Sequence, residues 1–242
     1  MSGSIGDAAA DLRRIARDAG DASGYFPALY ARVTGRLADA IARSEFADGP
    51  GMDRFASTFA SYYLRAATGG VVRPRCWQAC WDVAGAPGLL IVQHLLLGIN
   101  AHVNHDLALA VVDVADERGQ LAPIRADFDA VNDVLAQTYE DVLGDLDRVS
   151  RWVSEAATVG GGRAFNFSLR HARRQAWGAA ERLHPLDRSG RQAYGGELDR
   201  LVSVLAYLVS RPPVPLRPLA WLARRLEQRD PAAVVDALLG ER

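Results

Sequence analysis

Apolar residues recur at spacings of three and four along nearly the whole chain, and no stretch alternates apolar and polar positions in β-branched residues between turns. The pattern predicts an all-α protein, a single globular domain of about nine or ten helices packed around a buried central helix at about residues 88–117. The first two helices fall at about residues 7–19 and 25–44, broken by Gly20 and by Ser23-Gly24. A third follows Gly49-Pro50-Gly51, and a short fourth opens near Pro74, because proline suits a first helical turn. Pro87 opens the central helix and Gly119 stops it. The sixth runs from Asp127 to about Ala157, ahead of Gly160-Gly161-Gly162, which reads as a flexible connector. The seventh spans residues 165–183, closed by Pro185, and the periodicity of residues 198–210 predicts the eighth, its start blurred by Gly195-Gly196. Residues 211–218, rich in proline, read as a stiff extended connector. Two short helices follow, the last capped by Asp230 ahead of Pro231. Residues 1–211 thus make the domain, and residues 212–242 a proline-rich connector with a helical pair packed on it.

The central helix departs from a simple apolar rod. His94, Asn100, His102, Asn104, His105 and Asp106 crowd into an otherwise apolar stretch and include three of the five histidines. A helix that is apolar nearly all round belongs in a core, and polar groups there must be hydrogen-bonded, metal-bound or neutralised. At about 100° per residue, His94, Gly98, His102, His105, Asp106, Leu109 and Asp113 share an arc of about 120°. Asn100 and Asn104 point the other way, as suits a helix with neighbours on several sides. His102 and Asp106, at i and i+4, can meet one metal ion from a single helix. His94 lies about 12 Å before His102 along the axis, too far for shared ligation unless Gly98 bends the helix.

Three readings follow for His102 and Asp106. They bind a divalent metal, zinc or iron suiting the nitrogen and oxygen ligands, with His105 as a further ligand. They work without metal, Asp106 orienting His102 as an acid-base group. Or they form a satisfied buried network, His102 bonded to Asp106 and the asparagines bonded to neighbouring helices. Further ligands would come from Asp127, Asp129, Asp133, His171 or Glu181. Asp127 and Asp129 also suit capping of the sixth helix, with Arg125 paired to Asp129. In the seventh helix, Arg174 and Trp177 are candidates to clamp and stack on a ligand, the alternative being a solvated basic face. Cys76 and Cys80, at i and i+4, read either as two buried small hydrophobes or as a thiolate pair for zinc, with Trp77 and Trp81 favouring burial.

Composition narrows the classes. At 242 residues and 49% hydrophobic, the chain can bury a sizeable core. With 28 basic and 29 acidic residues interspersed, no broad basic field invites nucleic acid or an anionic membrane. Every basic residue is an arginine, which excludes Schiff-base chemistry and a lysine base. Residues 1–7 lack the charged and apolar regions of a secretory signal, and residues 88–97 are too short to span a bilayer, so a cytoplasmic location is expected.

The segment from His94 to Leu107 resembles the signature of an uncharacterised bacterial family, a domain of unknown function, whose members carry His-x-Leu-Leu-Gly-Ile-Asn-Ala-His-x-Asn-x-Asp-Leu. Asp127-Phe128, Asn132 and Arg174-x-x-Trp177 also fit that pattern, so the resemblance spans most of residues 70–185. It implies a shared site around His94, Asn100, His102, Asn104 and Asp106 and brings no activity with it. More loosely, Leu97-Gly98 followed by His102-x-x-x-Asp106 is similar to a helical motif of zinc-dependent phospholipase C and S1/P1-type nucleases. Those are secreted all-α enzymes with three zinc ions held by many histidines and an amino-terminal tryptophan. Five histidines and a Met1-Ser2 start argue against such a trinuclear site here.

The expectation is a small-molecule enzyme whose catalytic groups are His102, Asp106 and His94. Asn100, Asn104, Arg174 and Trp177 would hold the substrate, and a metal, if used, would sit on His102, Asp106 and His105. A metal-bound water would then hydrolyse the substrate. The alternatives are a cofactor-free cyclase or lyase of natural-product metabolism and a non-catalytic helical binding or scaffold protein.

Overall fold

The computed structural model describes residues 3–86, 88–150, 162–211, 214–228 and 230–241. Ten helices and no strand occur among them: α1 (Ile5–Asp18), α2 (Tyr25–Ala42), α3 (Gly49–Thr68), α4 (Arg75–Asp82), α5 (Ile91–Arg118), α6 (Arg125–Leu146), α7 (Gly162–Leu183), α8 (Arg188–Ser210), α9 (Arg217–Leu226) and α10 (Pro231–Leu239). The boundaries follow local chemistry. Ser4 and Asp7 form a reciprocal capping box on α1, and the carboxylates of Asp48, Asp187 and Asp230 accept backbone N–H groups at the starts of α3, α8 and α10. Gly69 and Gly119 end α3 and α5 in the left-handed conformation, with φ of 75° and 76°.

Several expected boundaries move. Helix α6 ends at Leu146 rather than near residue 157, and residues 151–161 lie outside the described chain. Gly162, expected in a connector, begins α7. Gly195 and Gly196 lie inside α8, which starts at Arg188. Of the extended connector, Val214–Leu216 is a 3-10 turn that runs directly into α9.

Helix α5 is the axis of the body. Helices α2, α3, α4, α7 and α8 pack against it, and Leu95, Leu97, Ala101, Leu107, Val111 and Val114 are buried along it. By length and composition it could cross a membrane, yet most of it is buried against these neighbours, as a core helix is. Helix α10 lies against α1, α2 and α6 and buries Val234, Val235 and Leu238.

Two local features of α5 position the polar cluster. At His102–Asp106 the helix widens into one π turn, Leu107 N–H reaching the carbonyl of His102. Gly98 introduces no bend; α5 continues through it in α geometry from Ile91 to Ala101. Its role is close approach, since a Cβ there would stand 2.3 Å from Phe26 Cγ and 2.6 Å from Phe26 Cβ. Those atoms belong to the root of a buried core side chain and cannot swing away. Gly98→Ala is therefore expected to lower stability by about 1–3 kcal/mol through overpacking. Gly144→Ala in α6, where a Cβ meets nothing within 4 Å, should leave stability unchanged or raise it by up to about 1 kcal/mol. Urea denaturation of the two variants side by side checks the contrast.

Candidate functional site

Asp106 is fully buried and sits at the end of the π turn. Three N–H groups converge on its carboxylate. His102 Nδ1 lies 3.0 Å from Oδ2, His105 Nδ1 lies 2.7 Å from Oδ1, and Trp77 Nε1, from α4, donates to Oδ2 at 2.9 Å. Burial pushes the Asp106 carboxyl up, but the hydrogen bonds from His102 and His105 outweigh it and hold the group below the ordinary carboxylate value. Burial likewise pushes His102 below its ordinary value, against the opposing pull of Asp106. His102 is therefore a neutral imidazole at pH 7, its Nδ1–H donated to Asp106 and a lone pair left on Nε2.

That second nitrogen is buried and has no hydrogen-bond partner among the described residues. Its ring stacks on Phe59 with centroids 3.6 Å apart and 8° between the planes, and meets the edge of Tyr30 at 4.4 Å. His102 lines a cavity of about 180 Å³ formed between α2, α3, α5, α6 and α7, whose wall is almost wholly apolar. Phe26, Tyr30, Phe59, Val142 and Leu169 form much of it. Arg173 of α7, 4% exposed, lines the same cavity. It lies over the Phe128 ring at 4.3 Å, donates from Nη2 to the Phe128 carbonyl, and keeps a buried Nε without a partner. Burial lowers its pKa to about 10, with Asp129 pulling the other way, which leaves it charged at pH 7.

The other expected site residues fall elsewhere. His94 meets the edge of Tyr25 at 5.7 Å and lines a separate cleft with Asp21 and Arg224, so it does not join His102. Burial and Arg224 lower its pKa to about 4, against Asp21. Asn100 Nδ2 donates to the Val202 carbonyl at 3.0 Å, tying α5 to α8 as the network reading expected of it, whereas Asn104 Nδ2 donates to Asn100 Oδ1 at 2.9 Å and stays within α5. Both line a second groove between α5, α7 and α8. Arg174 is exposed and outside the His102 cavity. Trp177 is buried against Phe128 at 5.0 Å and donates to Glu181 at 2.8 Å, which makes it core rather than pocket wall.

The donor set does not suit a metal held by His102, His105 and Asp106. Both carboxylate oxygens already accept N–H groups, and each histidine turns its Nδ1 to the same carboxylate instead of to a shared point. The supplementary ligands are committed as well. Asp127 accepts the backbone N–H groups of Ala47 and Asp48 at 2.9 and 2.8 Å, Asp129 pairs with Arg125 at 2.7 Å, and Asp133 and His171 are exposed. The ligand-type side chains that do gather are Cys76, His105 and Asp199, with donor atoms within 4.8 Å of one another. Asp199 there accepts the N–H groups of Arg75 and Cys76 and so caps α4, and burial raises the Cys76 thiol, with Asp106 and Asp199 adding to the effect. Cys80 is free too, its Sγ lying 3.4 Å from the Cys76 carbonyl, and burial pushes its thiol up to about 12.

Two groups of this site escaped the sequence reading. Trp77 read as core, and only the fold shows its indole N–H reaching Asp106. The sequence pattern points to Arg174, yet Leu169, Arg173, Ala176, Ala180 and Leu183 form one inward stripe of α7 with a charge in the middle. That interruption was the available signal.

A family model described as "Family of unknown function (DUF5995)" matches residues 5–212. No curated protein and no solved structure matches the chain.

Proposed function

Because the chain belongs to this family of unknown function (DUF5995), its activity has to be read from the site, and we propose that it is a small-molecule enzyme in which His102 is the general base. The substrate is an apolar molecule held in the cavity between α2, α3, α5, α6 and α7. One observation carries the reading: a neutral imidazole, fixed at Nδ1 by Asp106, leaves an unpartnered Nε2 on a side chain that lines an apolar cavity. A buried polar atom without a partner is rare and calls for an explanation, and a ligand proton supplies one. The wall around Nε2 is apolar, so a ligand that fills the cavity would displace water from it. Arg173 places a positive charge on the same wall, where it would hold a negatively charged group of the substrate and so orient the molecule toward His102. The reaction class is proton abstraction without a cofactor, as in an isomerase, lyase or cyclase.

A non-catalytic scaffold is the second reading, favoured by the three N–H groups that Asp106 already accepts. Nitrogen-15 spectra of histidine-labelled protein separate the two. The base reading expects a neutral His102 with the proton on Nδ1 at pH 7, and a displaced Nε2 resonance on adding phenol, a small apolar hydroxyl donor. Phenol that leaves Nε2 unmoved, or a His102 protonated at pH 7, would overturn the base and leave the scaffold.

A further inference from the structure

Arginine side chains this deeply buried are paired with an anion or gather several acceptors. Arg173 has neither among the described residues. Its guanidinium carries five N–H donors in a planar fork, and the acceptor it has is one carbonyl, that of Phe128. Asp129, the carboxylate that acts on it electrostatically, is held in an ion pair with Arg125. Among the described residues, nothing else on the cavity wall supplies a compensating charge. His102 is neutral, and the Thr138 hydroxyl donates to the Val134 carbonyl of its own helix.

We infer that the ligand of this cavity is an apolar monocarboxylic acid whose body is about the size of one benzene ring, its carboxylate bound by Arg173 and its body lying against Phe26, Tyr30, Phe59 and Leu169 toward His102. The inference rests on the proposed function and adds the chemical class of the substrate. Size follows from volume, since an apolar cavity of about 150 Å³ takes benzene and this one, at 180 Å³, is somewhat larger. Charge follows from balance. A single guanidinium neutralises one carboxylate, whereas a phosphate or sulfate ester adds polar oxygens, and in the dianion a second charge, that the wall cannot satisfy. A planar carboxylate also matches the guanidinium fork with two parallel hydrogen bonds, which fixes the orientation of the ligand. The acid end then sits at α7 and the reactive end at α5, beside Nε2 of His102.

The test is a matched pair of probes, benzoate and benzyl alcohol, titrated calorimetrically into the full chain at pH 7. The two share one hydrocarbon body and differ in the charged end. The acid is expected to bind at least about tenfold tighter than the alcohol. Arg173→Gln should bring the acid down to the affinity of the alcohol and leave the alcohol unchanged. Equal affinities in the unmutated protein overturn the carboxylate assignment while the cavity reading stands. Failure of both probes to bind overturns the carboxylate assignment and the proposed ligand cavity together. The decisive comparison uses the unmutated protein, so it holds even if Arg173→Gln does not fold.

Discussion

Asp106→Ala is expected to destabilise the fold by about 3–5 kcal/mol, the range typical of removing one member of a buried charged network. The reason is what the substitution leaves behind. The N–H groups of Trp77, His102 and His105 now end at one carboxylate, and all three side chains are buried. Without it, three donors face an apolar interior, each with a desolvation penalty of about 1–3 kcal/mol unless relaxation finds another acceptor. Against a typical total stability of about 5–15 kcal/mol, the loss is a large fraction. Asp106→Asn keeps the shape and one acceptor oxygen; because the Trp77 indole can only donate, that oxygen stays at the Oδ2 position, and the N–H₂ turns toward His105, which must then move its proton from Nδ1 to Nε2. It should cost less than alanine and leave the proton of His102 on Nδ1. Urea denaturation at pH 7 measures both variants. An Asp106→Ala protein within about 1 kcal/mol of the unmutated one would mean that the network contributes little to folding.

The extent to which this site was legible in the sequence follows from what periodicity can encode. Helical spacing placed α5 within a few residues of its ends, because a long apolar run bounded by Pro87 and Gly119 admits few other readings. It also paired His102 with Asp106, Asn100 with a neighbouring helix, and Arg125 with Asp129, since those contacts lie one turn apart or follow from burial, whereas Asn104, expected to reach a neighbouring helix, bonds to Asn100 within α5. A uniform 100° per residue could not foresee the π turn, in which His102 and His105 both reach Asp106. Nor could it register that the faces of His94 and His102 meet different neighbours: two turns of rise separate them, enough to put one beside Tyr25 and the other beside Phe59. Trp77 and Arg173 reach the site from other helices, and contacts of that kind depend on how helices cross, which a single sequence does not display. The close approach at Gly98 has the same origin, a helix contact at Phe26 where the residue alone suggested a bend.

Acidification from pH 6.5 to about 4 is expected to remove about 3 kcal/mol of stability through His94 alone. In the folded protein its pKa falls to about 4, lowered by burial and by Arg224 against the opposing Asp21, whereas in the unfolded chain it keeps the ordinary value of 6.5. Across that window the unfolded state takes up a proton that the folded state refuses, so stability drops as the pH falls. His102 is shifted in the same direction by burial and adds to the loss. Asp106 acts later. Its carboxyl is held below the ordinary value, so its contribution persists above the unfolded pKa near 4 and is lost only as the pH falls further, through the folded value. The curve of stability against pH should therefore descend in two stages, a histidine stage between about pH 6.5 and 4 and a carboxylate stage below it. His94→Gln should flatten the first stage by about 3 kcal/mol and leave the second in place. The measurement is urea denaturation at half-unit steps from pH 7 to the acid limit of folding. Unchanged stability from pH 7 to 4.5 would show that neither histidine is held neutral by the fold, and would remove the lone pair that the proposed base at His102 requires.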